Sequence, residues 1–182
     1  MEFYKMDVLL EGFGAKEKIT KNHLRDFVKS EAKNIHMKNI MLAASFLRED
    51  AKYMPVSYRE DYIERFSKAF FTRIKDIKED KNNYNGNVDR EKLTEFLKVI
   101  DKQSNDAKGN NERCFVMIAK IIATYTTFIR EEPIHPIGTR FPGGFILHLE
   151  KGRYLCPVKN RQSNNPSALC SFCVSEQDER AL

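Results

Sequence analysis

The chain has 182 residues, 41% of them hydrophobic and 31% charged, a balance that excludes both a disordered polymer and a membrane protein and allows one domain with a sizeable core. Its formal charge of +5, from 31 basic against 26 acidic residues, is mixed along the chain, so there is no basic face or stripe of the kind that binds nucleic acid. The N-terminus carries acids and no apolar signal core, and the longest apolar run, 114–129, is broken by Lys120 and threonines and falls short of a spanning helix. A soluble, cytoplasmic protein with no membrane partner is expected, and the sequence names no other partner and no oligomeric state.

Residues 3–10 read as a short helix stopped by Gly12 and Gly14. Thr20 is placed to cap a helix carrying Leu24, Phe27 and Val28 at helical spacing. The next helix, over 34–52, gathers Ile35, Ile40, Met41, Ala44, Phe46 and Leu47 in a broad stripe and closes before Pro55. His23 and His36 fall in this region without a ligand partner nearby in sequence, and read as surface or core residues. Ser57-Tyr58-Arg59-Glu60 has the form of a capping box and opens a long amphipathic helix to about Lys78, burying Tyr62, Ile63, Phe66, Phe70, Ile74 and Ile77. The charges over 68–81 alternate in sign, as on a solvated helix face.

After a loop at 81–87, Asp89 caps a helix with Leu93, Phe96, Leu97 and Ile100 inside. A polar linker over 104–111 leads to a central helix over 112–130, apolar nearly all round and therefore buried. Three prolines and three glycines in 131–144 then forbid helix. A hairpin follows, 145–149 and 154–158, around Lys151-Gly152. A two-residue turn pairs Leu149 with Tyr154 and Leu147 with Cys156, on the apolar face; a three-residue turn sets His148 opposite Cys156 instead. The alternation of Phe145, Leu147 and Leu149 favours the first register. Asn165-Pro166 reads as the cap and first position of a short helix carrying Cys170 and Cys173, with a knuckle-like turn as the alternative. The polar tail, 176–182, is expected to fray. The fold expected is mainly α, a single domain over 1–182 of five to six helices: a helical body, 1–130, and a C-terminal β-hairpin in 131–182 docked by a cysteine-rich site.

Chemistry enters through the cysteines. Cys156, Cys170 and Cys173 have the spacing C-x13-C-x2-C, and Cys114 opens the most apolar segment. In a reducing compartment four cysteines are ligands or free thiols more often than disulfides. A cysteine in the first turn of a helix, one on a hairpin strand and a CxxC can converge on one centre, so Cys114, Cys156, Cys170 and Cys173 are candidate ligands of zinc or of an iron–sulfur cluster, structural or electron-carrying. The spacing is not that of a zinc ribbon, which needs two CxxC pairs, and Cys170-Ser171-Phe172-Cys173 lacks the βαβ setting of a thiol-redox motif. Cys114 taken alone reads as a packing residue, and it is the company of the other three that makes it a candidate ligand. The second candidate is the Pro/Gly-shaped loop after the central helix. There Glu132, His135 and Arg140 combine acid, imidazole and cation beside the cysteines, as an enzyme acting on a small anionic substrate needs; charges that simply meet water are the plainer reading. A helical interaction module with no metal is the third.

Four blocks carry a resemblance: E-R-C at 112–114, E-P-I-H-P-I-G-T-R-F-P-G-G at 132–144, Y-L-C-P-V-K at 154–159 and A-L-C-S-F-C at 168–173, with Y-R-E-D-Y at 58–62 fitting as well. Together they resemble an archaeal family, chiefly from methanogens, catalogued as domain of unknown function 2115 or uncharacterised protein family 0305. The resemblance extends over the whole chain and is most specific in the last seventy residues. It implies an intracellular archaeal protein and brings no activity or site assignment with it. All four cysteines fall inside its blocks, which favours the metal reading.

Overall fold

The computed structural model describes residues 18–141, 143–162 and 164–182; the helix expected at 3–10 lies outside them. Helix α1, Lys21–Lys33, starts where expected: Thr20 Oγ1 accepts the His23 amide at 3.2 Å, and Leu24, Val28 and Ala32 form its buried face. In α2, Met37–Asp50, that face is Ile40, Ala43, Ala44 and Leu47. Met41, assigned to the stripe from sequence, stands 62% exposed because it lies about 100° around the helix from Ile40. Helix α3, Val56–Glu79, starts one residue before Ser57, so Ser57 is already inside the first turn and the capping box is not used; Pro55, with φ fixed at −54°, takes the cap position. Asp89 Oδ1 accepts the Lys92 amide at 3.0 Å and opens α4, Arg90–Asp106. That helix absorbs most of the expected polar linker, leaving 107–109.

The central helix, α5, Asn110–Tyr125, packs against α1, α2, α3 and α4 and is buried along nearly its whole length. Near its end the Thr124 and Thr126 hydroxyls donate to the Lys120 and Ile122 carbonyls at 2.7 and 3.0 Å, a bonding pattern that bends helices. There the helix widens into a π turn, Thr126–Arg130, and stops at Glu131 in the left-handed region, φ +53°. A buried carboxylate ties α5 to α3: Asp80 accepts the hydroxyls of Tyr125 and Tyr84 at 2.8 and 2.9 Å and the Asn82 amide at 2.9 Å.

The C-terminal segment is a small sheet in the order β1-β2-β3. Strands β1, His148–Glu150, and β2, Arg153–Cys156, pair antiparallel with Leu149 opposite Tyr154, the register of the two-residue turn. Lys151 and Gly152 both adopt positive φ, +49° and +78°, the geometry that matches strand twist. The tail does not fray: β3, Glu176–Gln177, runs parallel to β2, and beyond it Asp178 and Ala181 are buried. The cause is Asp178, which caps the Arg180 amide at 3.1 Å and pairs with its guanidinium at 2.9 Å. The short helix expected after Asn165-Pro166 is absent, because Asn165 Oδ1 takes the Ser167 amide at 3.0 Å in a local turn. Only a 3-10 turn forms, Leu169–Ser171. The result is a mainly α single domain with five α-helices among the described residues. None of those helices is long and apolar enough to cross a membrane.

Candidate functional site

Small residues on facing helices open a cavity of about 560 Å3 between the helical body and the C-terminal segment. Ala69 on α3 and Ala119 and Ala123 on α5 are the small residues on its wall. The α3 wall is an aromatic ladder at every fourth residue. Tyr58, Tyr62, Phe66 and Phe70 follow one another with ring centroids 5.8, 4.5 and 6.4 Å apart. Burial, helped by the negative charge of Asp50, pushes the Tyr62 hydroxyl up to about 12. Phe115 of α5 extends the wall, 5.8 Å from Phe70.

The loop after the π turn forms the roof. His135 sits edge-on between Phe66 and Phe141, 5.5 Å from each at 78°. Its edge opens onto the cavity while protein surrounds the ring, and this burial alone brings its pKa down to about 4, leaving a neutral imidazole. The other two members of the proposed catalytic loop are elsewhere. The Glu132 carboxylate is held by Arg73 at 3.0 Å and by Arg130 at 2.6 Å, and the Arg130 guanidinium is raised in turn, first of all by that bond. Arg140 is exposed and joins the site only through its carbonyl, which accepts the Tyr58 hydroxyl at 2.5 Å. Of Glu132, His135 and Arg140, only His135 faces the cavity.

Three of the four cysteines also line the cavity. Cys156 enters from the end of β2, Cys170 from the 3-10 turn and Cys173 from just beyond it. Burial pushes the Cys156 thiol up, while the amides of Val158 and Lys159, directed at its sulfur, pull the other way. Cys170 is also raised, by burial first and then by Cys156 and Cys173. The Cys173 thiol lies 3.5 Å from Ser175 Oγ, and Lys159 Nζ donates to the Cys173 carbonyl at 2.6 Å. Cys114 does not join them. It is buried against α2, where the Asn39 amide group stands 3.9 Å from its sulfur. Because α5 begins at Asn110, Cys114 lies past the first turn, beyond the strongest pull of the helix dipole, and it is Phe115 that turns to the cavity. Among the described residues no three Cys, His, Asp or Glu side chains stand close enough to hold a metal ion.

Sequence reading missed the ladder as a wall, because aromatic residues at helical spacing read as core. It also passed over Lys159 and the three alanines; small residues on otherwise apolar helix faces were the available signal.

The fold and its chamber define a class: a mainly helical single-domain protein with an aromatic cavity that carries an imidazole at its roof and thiols at one end. The family model described as "Uncharacterized protein conserved in archaea" (DUF2115) matches residues 20–178, and the chain belongs to that family. A UPF0305 protein of Methanothermobacter thermautotrophicus is 54% identical over 160 residues, covering 88% of this chain and 98% of its own. UPF0305 proteins of Methanocaldococcus jannaschii and Methanococcus maripaludis are 35% and 34% identical, each covering 81% of this chain and 90% of its own. No solved structure matches the chain.

Proposed function

We propose that the protein binds a small, flat, largely apolar molecule in the cavity, with Cys156, Cys170 and Cys173 at its chemically distinct end. The aromatic ladder, which lines the cavity together with Ala119 and Ala123, carries this reading. A volume of about 560 Å3 falls within the roughly 300–1,000 Å3 of ligand sites, whereas protein cores hold few voids larger than a water molecule. Flat rings stack on aromatic faces, and the few polar groups on the wall would fix orientation. The test is a fluorescence titration of the full chain with N-phenyl-1-naphthylamine, a neutral two-ring dye that brightens on leaving water. Saturable binding at one site, lost in Ala119→Phe, supports the reading; no saturation, or binding unchanged by filling the cavity, removes it.

A second reading places zinc or an iron–sulfur cluster on Cys156, Cys170 and Cys173, without Cys114. It is favoured by the two amides directed at the Cys156 sulfur, since N–H groups on sulfur stabilise a thiolate ligand. The three thiols must turn inward to reach a metal at about 2.3 Å, and three ligands leave one coordination position open to the cavity. Metal and acid-labile sulfide are measured on protein purified without oxygen. One equivalent of zinc, or iron with sulfide and visible absorbance, lost in Cys170→Ser, supports this reading; metal-free protein with all its cysteines titratable contradicts it.

A further inference from the structure

We propose that the cavity's ligand is an unsaturated organic anion whose charged group is received by Lys159 at the thiol end. This rests on the cavity being a ligand site and adds the sign and place of the ligand's charge.

The charges on the wall are unequal in kind. Arg73 and Lys159 line the cavity, and no Asp or Glu does so among the described residues. The Arg73 guanidinium is already matched by the Glu132 carboxylate at 3.0 Å. In a smaller cleft that shares Ala69 and Arg73, Arg65 is likewise held by both oxygens of Asp61 at 2.8 Å. Both arginines already have a carboxylate partner, Glu132 being shared between Arg73 and Arg130. Lys159 differs. Its ammonium is half-buried, and its one hydrogen-bond partner among the described residues is the Cys173 carbonyl at 2.6 Å. A lysine has three N–H donors, so two remain, on a cation with no carboxylate within ion-pair distance among the described residues. A charge drawn partly out of water against an apolar wall is costly unless it meets its opposite.

His135 points to the same kind of ligand independently. Among the described residues burial is what acts on its ring and keeps it neutral. A neutral imidazole offers one donor and one acceptor, and on the cavity wall both can serve a ligand. A molecule with a flat body on Tyr62 and Phe66, a polar group toward His135 and an anionic group at Lys159 meets each of these demands. Carboxylate, sulfonate and phosphate share the required chemistry.

The experiment compares two dyes of nearly the same shape, 1-anilinonaphthalene-8-sulfonate and its sulfonate-free counterpart N-phenyl-1-naphthylamine, titrated into the full chain and three variants. Lys159→Met keeps the stem and removes the charge, Lys159→Arg keeps the charge, and Ala119→Phe fills the cavity. Ala69→Leu replaces Ala119→Phe if circular dichroism shows that variant unfolded. Lys159→Met is expected to weaken the sulfonate about tenfold more than the amine, the size of one charge-assisted hydrogen bond, and Lys159→Arg to restore most of the difference. If cavity filling abolishes both dyes but Lys159→Met weakens them equally or not at all, the anion site is overturned and the cavity site stands. If neither dye binds, or filling the cavity changes nothing, the cavity reading itself fails, and this inference with it.

Discussion

In the helical body the buried side chains are almost all aliphatic or aromatic, and they come from helices gathered around α5. In 131–182 the buried set is short and mixed: Pro133, Leu147, Cys156, Pro157 and Ala181 stand beside the polar Thr139, Ser175 and Asp178. The body therefore has a core of its own. The C-terminal segment is held by three short strands, by Asp178 on Arg180, by Lys159 on the Cys173 carbonyl and by the rings of His135 and Phe172 that it lends to the body. The cavity lies along the join between a self-sufficient core and a segment that lacks one. A ligand there contacts both, so its binding free energy adds most to the order of the weaker partner.

That contrast can be broken hardest at Phe96. Its ring is fully buried, edge-on to Phe128 at 5.1 Å and to Phe172 of the C-terminal segment at 5.4 Å. Phe96→Ala is expected to cost about 3–5 kcal/mol in urea unfolding and to loosen 168–175 with the body. A loss under about 1 kcal/mol would show that the two regions do not lean on each other there.

Next in size is Asp80, whose bonds lie wholly inside the body. Burial pushes its carboxyl up, but the Asn82 amide, the Tyr125 and Tyr84 hydroxyls and the Arg25 charge together outweigh burial and leave it below its ordinary 3.8. A carboxyl lowered by folding stabilises above its unfolded pKa, and that contribution is lost as pH falls from about 3.8 through the lowered folded value. Asp80→Asn should therefore cost about 2–3 kcal/mol at pH 7 and flatten the acid limb of the stability curve. An unchanged acid limb would mean that other carboxylates set it.

His135 sharpens the comparison from the cavity side. Its pKa falls from 6.5 to about 4 on folding, so unfolding takes up a proton below pH 6.5. Stability is full above 6.5 and declines as pH drops toward 4, by on the order of 3 kcal/mol. His135→Leu should remove that slope, and the ring protons of His135 should show no titration between pH 7 and 5 by NMR. A midpoint near 6.5 would place the ring in water.

The smallest effect is expected at Cys114. Truncation to Ala should cost about 1 kcal/mol through lost packing and leave dye binding and metal content at wild-type levels. A loss of metal in Cys114→Ala would reunite it with the other cysteines.

Much of this architecture was legible in the chain. Thr20 and Asp89 mark helix starts because their oxygens take the orphan amides, and the Lys151-Gly152 turn sets the expected hairpin register, although of the expected apolar face only Leu147 is buried and Phe145 and Leu149 are exposed. Strand β3 was not legible, since Glu176-Gln177 has no β-forming side chains and pairs only because Asp178 anchors the turn behind it. The cysteine site was half legible. The near spacing of Cys156, Cys170 and Cys173 fits one end of one cavity, but spacing does not reveal helix phase, and Cys114 lies about 100° from the face that Phe115 presents. The cavity itself is a matter of missing volume at Ala69, Ala119 and Ala123, and hydrophobic periodicity counts an alanine as core.

Amide hydrogen exchange of the full chain, with and without saturating N-phenyl-1-naphthylamine, tests the central claim most directly. The account predicts added protection in two places at once, the α3 wall over 58–73 and the C-terminal segments 134–141 and 154–175, with α1 unchanged. Protection spread evenly over the chain, or confined to α1 and α2, would contradict a ligand site along this join.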